Sequence, residues 1–376
     1  MNIAFIITGL VVGGAETMLL KLLERLDRSK FRPMVISLTT EGDIGLRIAS
    51  LGIPVVALGM RPSFPNPLLL LRLVGLIRRF KPDIVHTWMY HADLLGGLAA
   101  HIAGVKRIVW GIRHTDLSAS ANKRTTLAVV KVCAWLSAWL PCKILVNSEV
   151  SRAVHVTAGY NASKMKVIPN GFDVACFLPD QSARDSVRQE LALAIDTPLV
   201  GVVGRYHPQK NQLGFVQVMS ELTSKRPDVH FLLVGHGNDT DNAELMSAIR
   251  SAGLITHTHL LGQRMDVPRL MAALDLLALP SVGEAFPNVV GEAMACGVPC
   301  AVCDVGDAAL IVGDTGRIVP AGDMPALAHA IGDLLRLAAC ERTMLGVQAR
   351  ERVTSMFEIR CVVSQFEAFY CDILTQ

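Results

Sequence analysis

The sequence of 376 residues contains no run of about 18 or more apolar residues free of charge, so no transmembrane helix is expected. The nearest approach, residues 127–146, is interrupted by Lys131, Pro141 and Lys143. Residues 1–10 lack a basic n-region and run straight into Gly13-Gly14-Ala15-Glu16. That favours a buried first strand and a Gly-rich turn over a signal peptide. H-E-x-x-H and any cysteine cluster are missing, so no metal and no cofactor are expected. G-x-G-x-x-G is missing too, which disfavours a nicotinamide oxidoreductase. There is no low-complexity tract or short repeat, and only 18% of residues are charged, which excludes a disordered chain.

What is present is apolar and foldable. Hydrophobic residues make up 51% of the chain, its mean hydropathy is +0.40, and its length suits two ordinary domains. Nine cysteines, an odd number with no regular framework, fit a reducing cytosol. Cys300 and Cys303 match C-x-x-C but lie in a strand-like run without a second ligand pair. Buried structural thiols are the expectation there. The net charge of +3 hides a division. Residues 1–173 hold 21 Lys and Arg against 10 Asp and Glu, a surplus of +11. Residues 174–376 hold 15 against 23, or −8. A basic half suits an anionic membrane surface or a pyrophosphate-linked acceptor, with ordinary solvated charge as the alternative. Nucleic acid is not an expected partner.

Short apolar runs alternate with helical segments along the chain. Runs at 2–8, 34–38, 55–58, 84–86, 108–110 and 144–147 read as strands of a first sheet. Runs at 199–203, 230–234, 259–261, 276–279 and 300–303 read as strands of a second. Such alternation implies parallel sheets with helices on both faces, and ligands at the carboxyl ends of the strands. Two lobes with a cleft between them are expected, with a crossover near Asn170-Gly171-Phe172-Asp173. Residues 357–374 read as a helix bearing Phe357, Phe366, Phe369 and Tyr370, too aromatic to be a loose tail.

The most informative stretch is Gly283-Glu284-Ala285-Phe286-Pro287-Asn288-Val289-Val290-Gly291-Glu292, followed by Ala293-Met294-Ala295-Cys296-Gly297. Pro287 suits a first helical turn, Gly297 a C′ position, and Pro299 stops any continuation. The apolar helix between them is expected to be buried, with no cation at i±3 or i±4 of Glu292. Its carboxylate then needs donors from elsewhere, such as ligand hydroxyls. The free N–H groups and positive dipole end of the same helix suit a phosphate.

Other candidates sit at strand ends. Gly14, in the turn after the first run, allows close approach of a phosphate or sugar, or simply makes a tight turn. Arg205 and Lys210 follow the run at 199–203 in Gly204-Arg205-Tyr206-His207-Pro208-Gln209-Lys210. There they suit a diphosphate leaving group, with exposed surface cations as the alternative. His114, in Gly111-Ile112-Arg113-His114-Thr115-Asp116, suits a reacting sugar or a structural role. His86 also ends a run. Lys123, Arg124 and Lys131 surround Leu127, Val130, Trp135 and Trp139 in a helix that reads equally as membrane-interfacial or core.

Together these motifs resemble the family 4 glycosyltransferases of the GT-B fold. The resemblance rests on Gly13-Gly14-Ala15-Glu16, then Val167-Ile168-Pro169-Asn170-Gly171-Phe172-Asp173, then Val203-Gly204-Arg205 with Lys210-Asn211. Leu233-Val234-Gly235-His236-Gly237 follows, and Glu284 to Glu292 looks like that family's E-x7-E motif. The resemblance implies two Rossmann-like doubly wound domains. Residues 1–173 would be the acceptor domain, with a C-terminal helix, 357–376, packing back on it. Residues 174–356 would be the nucleotide-sugar donor domain. It further implies a retaining, metal-free hexosyl transfer from a nucleotide-diphosphate sugar, UDP favoured, to a glycan or lipid-linked acceptor in surface polysaccharide synthesis. Arg205 and Lys210 would hold the diphosphate, Glu284 the sugar hydroxyls with backbone around Phe286, Pro287 and Asn288, and Glu292 the ribose. Gly14 would approach the donor phosphate or the acceptor, and His114 the transferred sugar. The expected location is cytoplasmic, with peripheral contact at the inner membrane face. A sugar-nucleotide epimerase, a phosphorylase and a non-catalytic nucleotide-sugar-binding protein remain alternatives.

Overall fold

The computed structural model describes residues 1–60, 67–118 and 122–375. The chain divides into two compact units, residues 1–171 with 359–376, and residues 172–358. The first unit opens with β1 (Asn2–Ile7), α1 (Gly14–Arg25), β2 (Arg32–Ser37), α2 (Gly42–Ser50), β3 (Val55–Ala57) and α3 (Pro67–Phe80). It continues through β4 (Ile84–Trp88), α4 (Tyr90–Ile102), β5 (Ile108–Ile112), α5 (Arg124–Leu136), β6 (Lys143–Val146), α6 (Glu149–Thr157) and β7 (Met165–Val167). The second unit holds α7 (Gln181–Glu190), β8 (Leu199–Val203), α8 (Gln212–Lys225), β9 (His230–Val234), α9 (Ala243–Ser251), β10 (Thr258–Leu260) and α10 (Val267–Ala272). After these come β11 (Leu276–Leu279), α11 (Asn288–Ala295), β12 (Cys300–Cys303), α12 (Ala308–Val312), β13 (Arg317–Val319), α13 (Met324–Arg336) and α14 (Ala339–Phe357). The last helix, α15 (Ile359–Thr375), belongs to the first unit.

The first sheet is ordered β3-β2-β1-β4-β5-β6-β7 and the second β10-β9-β8-β11-β12-β13. Every strand pair is parallel, and both orders reverse beside the first strand of the sheet. This is the doubly wound α/β arrangement, in which strand carboxyl ends at the reversal form a natural ligand crevice. The continuous apolar runs follow from it, because strands covered by helices on both faces have no solvent side. Val85, Val109, Ile144, Leu232, Leu277 and Ala301 are all fully buried.

β7 and β13, which the sequence analysis does not anticipate, close one edge of each sheet. Each has three residues, one of them a cation, so neither makes an apolar run. Phe357 ends α14 in the second unit, so the helix expected over 357–374 is split at Glu358. Gln376 lies outside the described residues. Phe366 and Tyr370 of α15 are fully buried in the first unit, and Tyr370 Oη sits 2.8 Å from His86 Nδ1. His86 lies inside β4, not at its end, and burial followed by the field of Arg113 pushes its pKa well below the ordinary value. It is a structural histidine. Cys300 and Cys303 are buried in β12, where burial raises both thiol pKa values.

Candidate functional site

In the second unit, three strand ends bring their loops together. After β8, Gly204 has φ 153°, and Asn238 Nδ2 donates to its carbonyl at 2.6 Å. Gly235, at φ 134°, lies so close behind that a Cβ there would overlap the Gly204 carbonyl. That close approach explains the glycine of Leu233-Val234-Gly235. Tyr206 N donates to His236 O at 2.7 Å, so the β9 loop supports the backbone bearing Arg205.

The third loop follows β11 and carries Glu284. Val282 N donates to Gln209 O at 2.9 Å, and Asn211 Nδ2 donates to Pro280 O at 3.3 Å. These bonds fasten the Lys210 loop to the Glu284 loop. Lys210 Nζ then meets Glu284 Oε1 at 2.6 Å, and Ser281 Oγ donates to the same oxygen at 2.8 Å. The lysine and glutamate side chains are only 25% and 13% exposed, so the pair is partly desolvated and held from both sides. Partial burial strengthens such a charge-assisted bond and fixes the ammonium in one place. Among the described residues, Arg205 makes no side-chain hydrogen bond or ion pair, and its side chain is exposed. Its field and that of Lys210 add to burial in lowering the pKa of His207. The loop thus carries a positive potential at the carboxyl end of β8.

α11 starts at Asn288 with Pro287 as N-cap, φ −73°. Its end is a Schellman motif: Gly297 N donates to Met294 O at 2.9 Å and Val298 N to Ala293 O at 3.0 Å, with Gly297 at φ 72°. Phe286 stacks on Phe172 at 5.9 Å and meets Phe357 edge-on. Gly291 faces the Phe172 ring so closely that any Cβ would overlap it. Glu292 is half-buried, which corrects the expectation of a fully buried carboxylate. The residue turns towards the helix's partly exposed side while Val290, Gly291, Ala293 and Met294 are buried. Lys210 and Glu284 are therefore brought into contact, with Phe286, Pro287, Asn288 and Glu292 following on from Glu284 in its loop and helix.

Gly14 and His114 belong to the first unit. Gly14 is the first residue of α1, where the Glu16 side chain folds back against Gly13, and burial raises the Glu16 pKa. His114 is half-buried just beyond β5, and its carbonyl accepts from Ser151 Oγ at 3.1 Å. The preceding Arg113 is 8% exposed. Its guanidinium lies 4.2 Å over the Trp88 ring and Nη1 donates to Asn170 Oδ1 at 2.8 Å. One residue thus anchors the segment inward while the next stays accessible.

Several contributors escape sequence reasoning. Ser281 has a signal in hindsight, an S-x-x-E spacing before Glu284. Gln209 and Phe172 stand inside the quoted stretches but act through backbone and packing, for which residue type gives no signal. Met89, after β4, has φ 77° and ψ 151°, a conformation that is almost confined to glycine. No group of three or more His, Cys, Asp or Glu among the described residues is placed to hold a metal.

Comparison with known proteins gives the frame. Residues 12–175 match the model for Glycosyltransferase Family 4, and residues 197–337 that for Glycosyl transferases group 1. The chain is 27% identical over 316 residues to the Escherichia coli UDP-Gal:alpha-D-GlcNAc-diphosphoundecaprenol alpha-1,3-galactosyltransferase, covering 81% of this chain and 79% of that one. It is 30% identical over 190 residues to the Bacillus anthracis N-acetyl-alpha-D-glucosaminyl L-malate synthase, half of this chain and 49% of the relative. The crystal structure of Anabaena HepE in complex with UDP-glucose superposes with a TM-score of 0.85 at 26% identity, covering 99% of this chain and 100% of that one. The chain belongs to the family 4 and group 1 glycosyltransferases and is an enzyme of the GT-B fold.

Proposed function

We propose that the protein is a retaining glycosyltransferase that moves a sugar from a UDP-sugar to a lipid-linked glycan acceptor without a bound metal. The second unit takes the donor. Arg205 and Lys210 neutralise the diphosphate, Glu284 accepts from sugar hydroxyls, and Glu292 accepts from the ribose. Backbone around Phe286, Pro287 and Asn288 lines the sugar subsite. The first unit, closed by α15, takes the acceptor, with Gly14 and His114 at its strand ends. The observation that carries the reading is the Lys210–Glu284 pair, held between two loops that hydrogen-bond to one another. It supplies a fixed cation for a leaving group and an oriented carboxylate for hydroxyls, in adjacent positions.

In this reaction the glycosidic C1–O bond to UDP breaks and an acceptor hydroxyl bonds to C1 from the same face. The departing phosphate oxygen takes the hydroxyl proton. Preorganised positive charge at the leaving group is the main contribution from this chain. UDP in the HepE structures and a diphosphoundecaprenol acceptor in the name of the E. coli relative support the donor and acceptor classes. Such an acceptor would place the enzyme at the inner face of the cytoplasmic membrane, in surface polysaccharide synthesis.

The test is slow hydrolysis of UDP-sugars with EDTA present, followed by proton NMR. Retention predicts that the first sugar released keeps the donor's anomeric configuration, and that Lys210→Ala suppresses release. An inverted first product, or an absolute need for a divalent ion, would refute the mechanism.

A further inference from the structure

The helices α3, α4 and α5 lie side by side on one face of the first sheet. α5 is apolar on two sides. Val130, Cys133, Ala134 and Leu136 pack inward, whereas Lys131, Val132 and Trp135, with Trp139 just beyond the helix end, face solvent. Trp135 is 70% exposed and Trp139 52%, unusual for the largest apolar side chain in a chain with only four tryptophans. They meet edge-on at 6.2 Å, and Trp139 meets His101 of α4 at 6.0 Å. Ile102 beside it is exposed, and its carbonyl accepts from Arg78 Nη2 of α3 at 3.0 Å. Leu68 and Leu71 are exposed on α3 itself.

Charge on this face is predominantly positive. Residues 117–148 contain no acidic side chain, and between 68 and 112 the acids are Asp83 and the buried Asp93. Exposed cations include Arg72, Arg79, Lys123, Arg124 and Lys131. A pocket of about 370 Å³ adjoins Ile102 and is lined by Arg78, Lys81, Asp83, Lys106 and Arg107. Arg107 is committed to the final carbonyls of α15, at 3.0 Å. Lys81 and Lys106 make no side-chain bond among the described residues and remain open to a phosphate.

We infer that the α3–α4–α5 face is the docking surface for an anionic phospholipid bilayer. Indole pairs settle at the headgroup level, and surrounding Lys and Arg attract the negative leaflet. The surplus of cations selects this occupant over a neutral apolar partner or a second copy of the same basic face. The inference rests on the proposed lipid-linked acceptor only for its purpose, because binding is read without turnover.

Trp88 and Trp110 are fully buried, so Trp135 and Trp139 are the native probes of the surface. The experiment adds vesicles of phosphatidylcholine, with or without phosphatidylglycerol, both carrying bromine-labelled acyl chains, and follows tryptophan quenching. Quenching is expected with phosphatidylglycerol, weakened about tenfold or more by raising salt from 50 to 500 mM. Trp135→Phe with Trp139→Phe removes the quenched signal. Lys131→Glu with Arg79→Glu weakens vesicle sedimentation by about tenfold. UDP-induced thermal stabilisation is measured on each variant as the check on folding and on the donor site. No quenching in the wild type, or sedimentation with unquenched tryptophans, overturns the inference. So does a lipid-free dimer in which both tryptophans are buried. A missing UDP shift in a protein that still binds vesicles contradicts the donor site instead.

Discussion

The two units treat charge at their strand ends in opposite ways. In the second, Arg205 is exposed, and paired loops hold the partly buried Lys210 and Glu284 in contact. In the first, the ionisable groups go inside. Arg113 lies over the Trp88 ring and donates to Asn170, and Asp93 is fully buried with Thr87 Oγ1 donating to it at 2.6 Å. Burial raises the Asp93 carboxyl to about 8, and lowers Arg113 to about 10. Two similar sheets thus support different work. One edge presents cations on its loops, and the other buries an arginine among its loops.

The comparison breaks most visibly at Lys210. Lys210→Ala should cut turnover by ~10²-fold or more, as for a lost leaving-group contact, while Arg113→Met lowers thermal stability more than it lowers UDP affinity. Equal turnover in Lys210→Ala and wild type would remove the charge-presenting role of the second unit. Gly291→Ala comes next. Its Cβ meets the Phe172 ring, so about 1–3 kcal/mol of stability is lost, and UDP affinity falls with it. Chemical denaturation reads the first effect and calorimetric titration the second. Glu292→Gln should raise the Kd for UDP by about tenfold, the order of one hydrogen bond to a charged group.

Asp93 sharpens the contrast through pH. Its folded pKa is above its unfolded value, so the folded state binds the extra proton. Stability is full below about pH 4 and declines as pH rises towards about 8. Asp93→Asn should flatten the fall in Tm between pH 5 and pH 8. An equal fall in the variant would mean that another group titrates there. The smallest effect is at His207, where Arg205→Gln should raise the imidazole pKa. Binding of UDP should raise it further, because the diphosphate offsets the same field. Proton NMR of the imidazole follows both.

The doubly wound sheets were legible in advance because buried parallel strands are continuous apolar runs, and eleven of them stand out in the sequence. The edge strands β7 and β13 were not, since three residues with a cation make no such run. Lys210 and Glu284 were legible as candidates from strand-end position and helix punctuation. Their contact was not, because 74 residues separate them and the bonds that join their loops end on backbone carbonyls, of Gln209 and Pro280. Phe357 was misplaced for a related reason. Its helical pattern runs on through Glu358, and only packing on Phe172 and Phe286 assigns it to the second unit. Trp135 of α5 could be placed on a helix but not on a side, because that helix is apolar on both, and Trp139 lies in the turn beyond it.

The measurement that tests the central claim most directly is thermal shift against a panel of nucleoside diphosphates, with EDTA present. The account predicts stabilisation by UDP in the wild type, lost in Lys210→Ala and in Glu292→Ala. No shift with any nucleoside diphosphate, or a shift untouched by both substitutions, would contradict the donor site described here.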